Sequence, residues 1–141
     1  MKRRVGRGPS ERPKVFPVRV GSIVEAPIKP AKGVTKRRPC VALREMPPSG
    51  VLVVGITSDG GEYDPANTRK YPPDEYIQVP HAEGGSSTTG LFRASAAYAD
   101  WVQIFDKSAV FATGGFLQDH LLDELITKLQ NYVMKTTGRS Q

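Results

Sequence analysis

Two arginines and two hydroxyls are the groups of this chain best placed for shared chemistry. Arg37 and Arg38 open an apolar run through Pro39-Cys40-Val41-Ala42-Leu43, and Thr57 and Ser58 close another, Val51 to Ile56. Between the runs lies Met46-Pro47-Pro48-Ser49-Gly50. Two β-branched runs around a Pro/Gly turn predict two strands. If these pair antiparallel, the entry of the first and the exit of the second are neighbours in space. A guanidinium presents fixed donors that match a phosphate, and a hydroxyl can donate to a phosphate oxygen or a ribose 2′-hydroxyl. The preceding loop, Lys29 to Arg38, adds Lys29, Lys32 and Lys36 and contains no acid.

The remaining chemistry-bearing residues are few. His81 and His120 titrate near neutrality by default. His81 follows Pro80 in a loop where it could line a groove, whereas His120 falls in the first turn of a predicted helix with no catalytic neighbour. Cys40, the one cysteine, leaves no internal disulfide and reads as a buried, inert thiol in an apolar strand. Two His and one Cys make no metal cluster, and no glycine-rich phosphate loop or nucleophile elbow is present; no cofactor is expected. Tyr63, Tyr71, Tyr76, Phe92 and Trp101 are aromatic groups of the kind on which unpaired bases stack. Trp101 sits in an apolar run and reads as core, while Tyr63 and Phe92 lie near loops.

Positioning these groups requires one domain, since 141 residues are too few for two good cores. Fourteen Gly, twelve Pro and 38% hydrophobic residues favour short strands and turns over a helical bundle. The net charge of +6 is unevenly spread: residues 1–14 hold six Lys/Arg and one Glu, leaving 14 basic and 13 acidic groups for the rest. That basic segment lacks apolar periodicity and reads as a disordered tail, a solubilising extension or a contact for nucleic acid phosphates. No run is long enough to span a membrane, and no secretory signal is seen; a soluble cytoplasmic protein is expected.

In chain order, Val15 to Ile28 predicts a first strand with a kink or bulge at Gly21. Asp59 to Tyr76 is a long polar connection of the kind that is usually functional or mobile. Tyr76 to Val79 predicts a short strand ended by Pro80, and His81 to Gly90 a Gly/Ser/Thr loop. Ala94 to Ala99 and Trp101 to Phe105 predict two strand segments separated by Asp100, with a turn at Asp106-Lys107-Ser108. Leu121, Leu122, Leu125, Ile126, Leu129, Tyr132 and Val133 recur at helical spacing. Asp119 suits the N-cap, and Gly138 follows the expected end. That apolar face must be covered by the sheet or by a partner chain. The expected organisation is a tail over 1–16, a domain over 17–136 and a second tail over 137–141.

Four segments in this order, Gly21-Ser22-Ile23-Val24, Arg37-Arg38-Pro39, Ile56-Thr57-Ser58 and Asp100 through Asp106-Lys107-Ser108, resemble the MazF/PemK/Kid family of toxin endoribonucleases. Gly115-Phe116-Leu117 and the helix continue the likeness, which spans about Val18 to Met134. The resemblance implies a mainly β fold with a C-terminal α-helix, a small SH3-like β-barrel of the CcdB/PemK type, working as a homodimer. It implies metal-independent cleavage of single-stranded RNA at short sequences, inhibited by an antitoxin protein. Carried over residue by residue, the family's catalytic Arg falls on Arg38, its Thr on Thr57 and its later Asp on Asp100, which could accept a proton or fix Arg38. RNA contacts are then expected from Lys36, Arg37, Ser58, Tyr98 and His81. Tyr98 stands where many members have Arg, and the Lys29–Arg37 segment carries basic residues where several have His or Glu. These departures keep a second reading open: a catalytically impaired RNA- or protein-binding module on the same barrel. A CcdB-like gyrase poison shares the barrel, but the Arg-Pro and Thr-Ser pairs argue against it.

Overall fold

A computed structural model describes residues 18–29, 35–58 and 73–139. The basic tail, Lys32 and the long connection with Tyr63 and Tyr71 lie outside the described residues. Six strands form one antiparallel sheet: β1 (Ser22–Ala26), β2 (Arg38–Met46), β3 (Gly50–Ser58), β4 (Tyr76–Val79), β5 (Ser95–Asp106) and β6 (Phe111–Phe116). They are ordered β4-β5-β3-β2-β1-β6, so β4 and β6 are edges and the sheet is not closed. One helix follows, α1 (Asp119–Arg139). The architecture is mainly β with a C-terminal helix, as expected, and the barrel takes the form of an open sheet.

Both faces of the sheet are buried. Val41, Leu43, Val54, Ile56 and Ile77 meet Leu117, Leu122 and Leu125 of the C-terminal segment. Period-2 alternation sends their neighbours Cys40, Ala42, Val51 and Val53 to the other side, with Val24, Tyr98 and Trp101. No described helix lies over that inner face, and Ile28 and Val110 from the connections pack against it. Burial also pushes the Cys40 thiol up to about 12, with Arg38 opposing the shift, so the residue is the inert thiol expected.

The predicted break at Asp100 is instead a bulge within one long strand. Val54 of β3 pairs with Val102, but Ile56 pairs with Ala97. The extra residues on β5 change the phase of the side chains. Tyr98 and Trp101, three apart, therefore both face the inner core. Trp101 lies across Gly55, where an added Cβ would sit 2.4 Å from the ring. Its indole donates to the Lys29 carbonyl at 3.0 Å. Sequence alternation alone could not anticipate this, because it depends on a partner strand.

Two further boundaries differ from expectation. Phe111–Phe116 is a strand that the Gly114-Gly115 pair concealed: Gly114 adopts φ 93°, and an added Cβ at Gly115 would sit 2.4 Å from the Thr89 carbonyl oxygen. The helix opens with Leu122 donating to the Gln118 carbonyl at 2.9 Å, which makes Asp119 its first residue rather than its cap. It also runs past Gly138 to Arg139, since glycine weakens a helix by only about 1 kcal/mol without forbidding it. Lys128 anchors α1 to the start of β4 by donating to the Pro73 and Tyr76 carbonyls, both at 2.9 Å. No described helix is long and apolar enough to cross a membrane.

Candidate functional site

The β2–β3 hairpin does what its sequence implies. Cys40 pairs with Gly55 and Val41 with Val54. Continued two residues toward the strand ends, this register sets Arg38 opposite Thr57. Arg38 also pairs with Ala26 of β1, and Thr57 with Ala96 of β5. Four strands therefore converge where the two candidate groups sit. A groove of about 780 Å³ opens there, lined by Arg38, Thr57, Lys36 and Arg37 together with Ile23, Glu25, Pro39 and Ile56.

Alternation decides which face each residue takes. Arg38 shares the face of Cys40, and Glu25 and Arg37 share the face of Ile23 and Val41. The groove thus runs over the end of the sheet and touches both faces. Arg38 is half-buried with its Nε fully covered. Thr57 is 8% exposed. Lys36 and Arg37 are exposed, and the Arg37 guanidinium stands 4.7 Å from the centre of the Phe111 ring.

The opposite wall is the segment Thr89 to Arg93. It belongs to a loop that holds its own shape. Ala82 and Ser86 both donate their amides to the Leu91 carbonyl, at 3.1 and 2.9 Å. The Ser86 hydroxyl accepts from the amides of Thr88 and Thr89, both at 3.2 Å. The buried Thr89 hydroxyl donates to the Pro80 carbonyl at 2.7 Å. β6 then locks the loop to the sheet: the Phe116 amide donates to the Thr88 carbonyl at 2.9 Å. Gly115 lies against the Thr89 backbone too closely for any side chain. On the other flank, Thr113 donates to the Ile23 carbonyl at 2.9 Å, where the β1–β6 register slips.

Among the described residues, the lining carries four cations, Lys36, Arg37, Arg38 and Arg93, against one carboxylate, Glu25. Such an excess in a concave site favours an anionic ligand. Of the expected site residues, Lys36, Arg37, Arg38 and Thr57 come together here. Ser58 pairs with Ser95 at the end of β3, and Ser95 lines the groove. Three others stand apart from the lining. Tyr98 is 1% exposed, turned inward by the bulge with its ring 5.2 Å from that of Tyr76. Asp100 is exposed on that bulge. His81 is exposed at the foot of the loop, and His120 is exposed at the start of α1.

Sequence reasoning missed Glu25 and Arg93. Glu25 carried a local signal, a charged residue on the face of Ile23 in an otherwise apolar strand. Arg93 carried none beyond its neighbour Phe92, because a tertiary contact with β6 brings its loop to the groove. Among the described residues no cluster of His, Cys, Asp and Glu is suited to hold a metal ion.

Among solved structures, the chain is similar to a mycobacterial endoribonuclease in complex with its cognate antitoxin. The TM-score is 0.51 at 14% identity, over 84% of this chain and 95% of that one. No family model and no curated protein matches. At that identity the likeness is one of fold, and it is the fold that the sequence resemblance implied.

Proposed function

We propose that this protein is a MazF/PemK-like toxin: a cytoplasmic endoribonuclease that cuts single-stranded RNA at short sequences without a metal ion and is inhibited by an antitoxin. The observation that carries the reading is the meeting of Arg38 and Thr57 in a cation-rich groove, on a fold similar to that of an endoribonuclease. Cleavage without a metal asks three things of a site. The 2′-hydroxyl must lose a proton as its oxygen attacks phosphorus, the departing 5′-oxygen must gain one, and the phosphorane charge needs fixed donors. Arg38 supplies the donors, since a guanidinium stays protonated at neutral pH. Thr57 orients the phosphate or the 2′-hydroxyl. Glu25, a carboxylate that lines the groove, is assigned the proton from the 2′-oxygen, and solvent water supplies the proton that the departing 5′-oxygen gains. Asp100, set back on β5, is assigned a supporting role in fixing Arg38. Lys36 and Arg37 hold flanking phosphates. A homodimer belongs to the same reading, and the exposed Val102 and Ile104 on β5 offer apolar surface for it.

A second reading, a binding module without catalysis, draws on the inward turn of Tyr98 and on the lack of a histidine among the described residues that line the groove. One experiment separates them. Long unstructured RNA is incubated with the protein in EDTA, beside Arg38→Ala and Glu25→Gln. Discrete fragments from the wild type, lost in both variants, support the nuclease. Intact RNA that is nevertheless bound supports the module.

A further inference from the structure

Two phenylalanines, Phe92 on the lining of the groove and Phe111 beside it, are exposed to an extent that core packing does not explain. Phe92 is 64% and Phe111 55% exposed. Each carries an arginine on its ring. The Arg93 guanidinium lies 5.8 Å from the centre of Phe92, and that of Arg37 lies 4.7 Å from the centre of Phe111. Both arginines line the groove, one on each wall. Phe111 is fixed by its place on β6, directly across from the groove residue Glu25 of β1. Phe92 is fixed by the loop that β6 locks in place.

We propose that these two Phe–Arg pairs are stacking platforms for unpaired bases on either side of the phosphate held at Arg38. This rests on the RNA reading of the groove and adds a requirement to it: the ligand must present splayed, single-stranded bases at both flanks. The chemistry supports that occupant. A ring or a guanidinium plane stacks on any base, with no need for a particular hydrogen-bonding edge. The guanidinium is also within reach of the adjoining phosphate, so each pair handles one base and one charge. A duplex keeps its bases stacked on one another and offers neither platform a face. Selectivity for single strands is thereby assigned to the walls of the groove, whereas Arg38 and Thr57 serve the bond to be broken.

The test uses a fluorescent, unstructured 2′-O-methyl RNA of mixed sequence, which lacks the nucleophile and cannot be cut. The same strand with abasic residues and the corresponding duplex serve as controls. Affinity is read by anisotropy for the wild type, Phe92→Ala, Phe111→Ala and the conservative Phe92→Tyr and Phe111→Tyr. Each alanine variant is expected to weaken binding of the base-bearing strand by about tenfold. It should leave the abasic strand unchanged, and tyrosine should restore affinity. Equal loss on the abasic strand, unchanged affinity in both alanine variants, or preference for the duplex would overturn the proposal. Cleavage of ordinary RNA in EDTA is scored separately. A wild type that cuts RNA while the alanine variants bind like it removes the platforms and keeps the nuclease. A wild type that never cuts but shows the base-dependent losses removes the nuclease and keeps the platforms.

Discussion

The two ends of the sheet make opposite use of their polar residues. At the hairpin end, Asp106 and Glu45 are both held by near neighbours. Asp106 accepts from the hydroxyls of Ser49 at 2.6 Å and Ser108 at 2.5 Å. Lys107 pairs with Glu45, and its amide donates to the Ser49 carbonyl at 2.8 Å. That end closes a turn. At the groove end, the described lining residues hold four cations and one carboxylate, and two aromatic rings stand in solvent. β2 and β3 run through both ends, and the groove end adds Glu25 of β1, Phe111 of β6 and the loop that carries Phe92 and Arg93.

The widest separation between the ends is expected in catalysis. Arg38→Ala should lower RNA cleavage by about 10²–10³-fold, the usual loss when one donor to a developing charge is removed. Its melting temperature should stay close to that of the wild type. Lys107→Ala, an equivalent loss of charge at the other end, should leave cleavage unchanged, because exposed pairs of this kind contribute little. Equal cleavage by the two variants would erase the distinction.

A smaller effect is expected from moving the wall without touching its chemistry. Gly115→Ala places a methyl group against the Thr89 backbone, which cannot swing aside as a side chain would. The loop must shift, and a displacement of about 1 Å can cost on the order of a hundredfold in rate. Cleavage should fall more than the melting temperature does. If cleavage is untouched, the loop is not a wall of the working site.

The last effect concerns stability alone. Hydrogen bonds from the Ser108 side chain, the Ser49 side chain and the Ser108 amide hold Asp106 down at about 2, from an ordinary value of 3.8. A carboxylate depressed by folding stabilises the protein above its unfolded value, and that contribution is lost as pH falls through the folded one. Asp106→Asn should therefore melt below the wild type at neutral pH. The gap should close as pH drops from about 4 to about 2, with cleavage at neutral pH unaffected. Parallel melting curves across that range would show that the network contributes nothing of the kind.

How much of this was legible in advance divides along the same line as the two ends. By itself the sequence determined what depends on near neighbours: the alternating strands, the helix with its apolar face, the buried Cys40, and the approach of Arg38 to Thr57. That last point followed from a hairpin, in which a short turn fixes the register for both strands. Tertiary structure alone decided the rest. The bulge that leaves both Tyr98 and Trp101 on the inner face lies where Trp101 crosses Gly55, two residues from different strands. The loop carrying Phe92 and Arg93 reaches the groove through a hydrogen bond to β6, more than twenty residues further on, and Glu25 and Phe111 face each other because β1 and β6 pair across more than eighty residues. Contacts between distant segments depend on how every intervening element packs, and no local pattern encodes them.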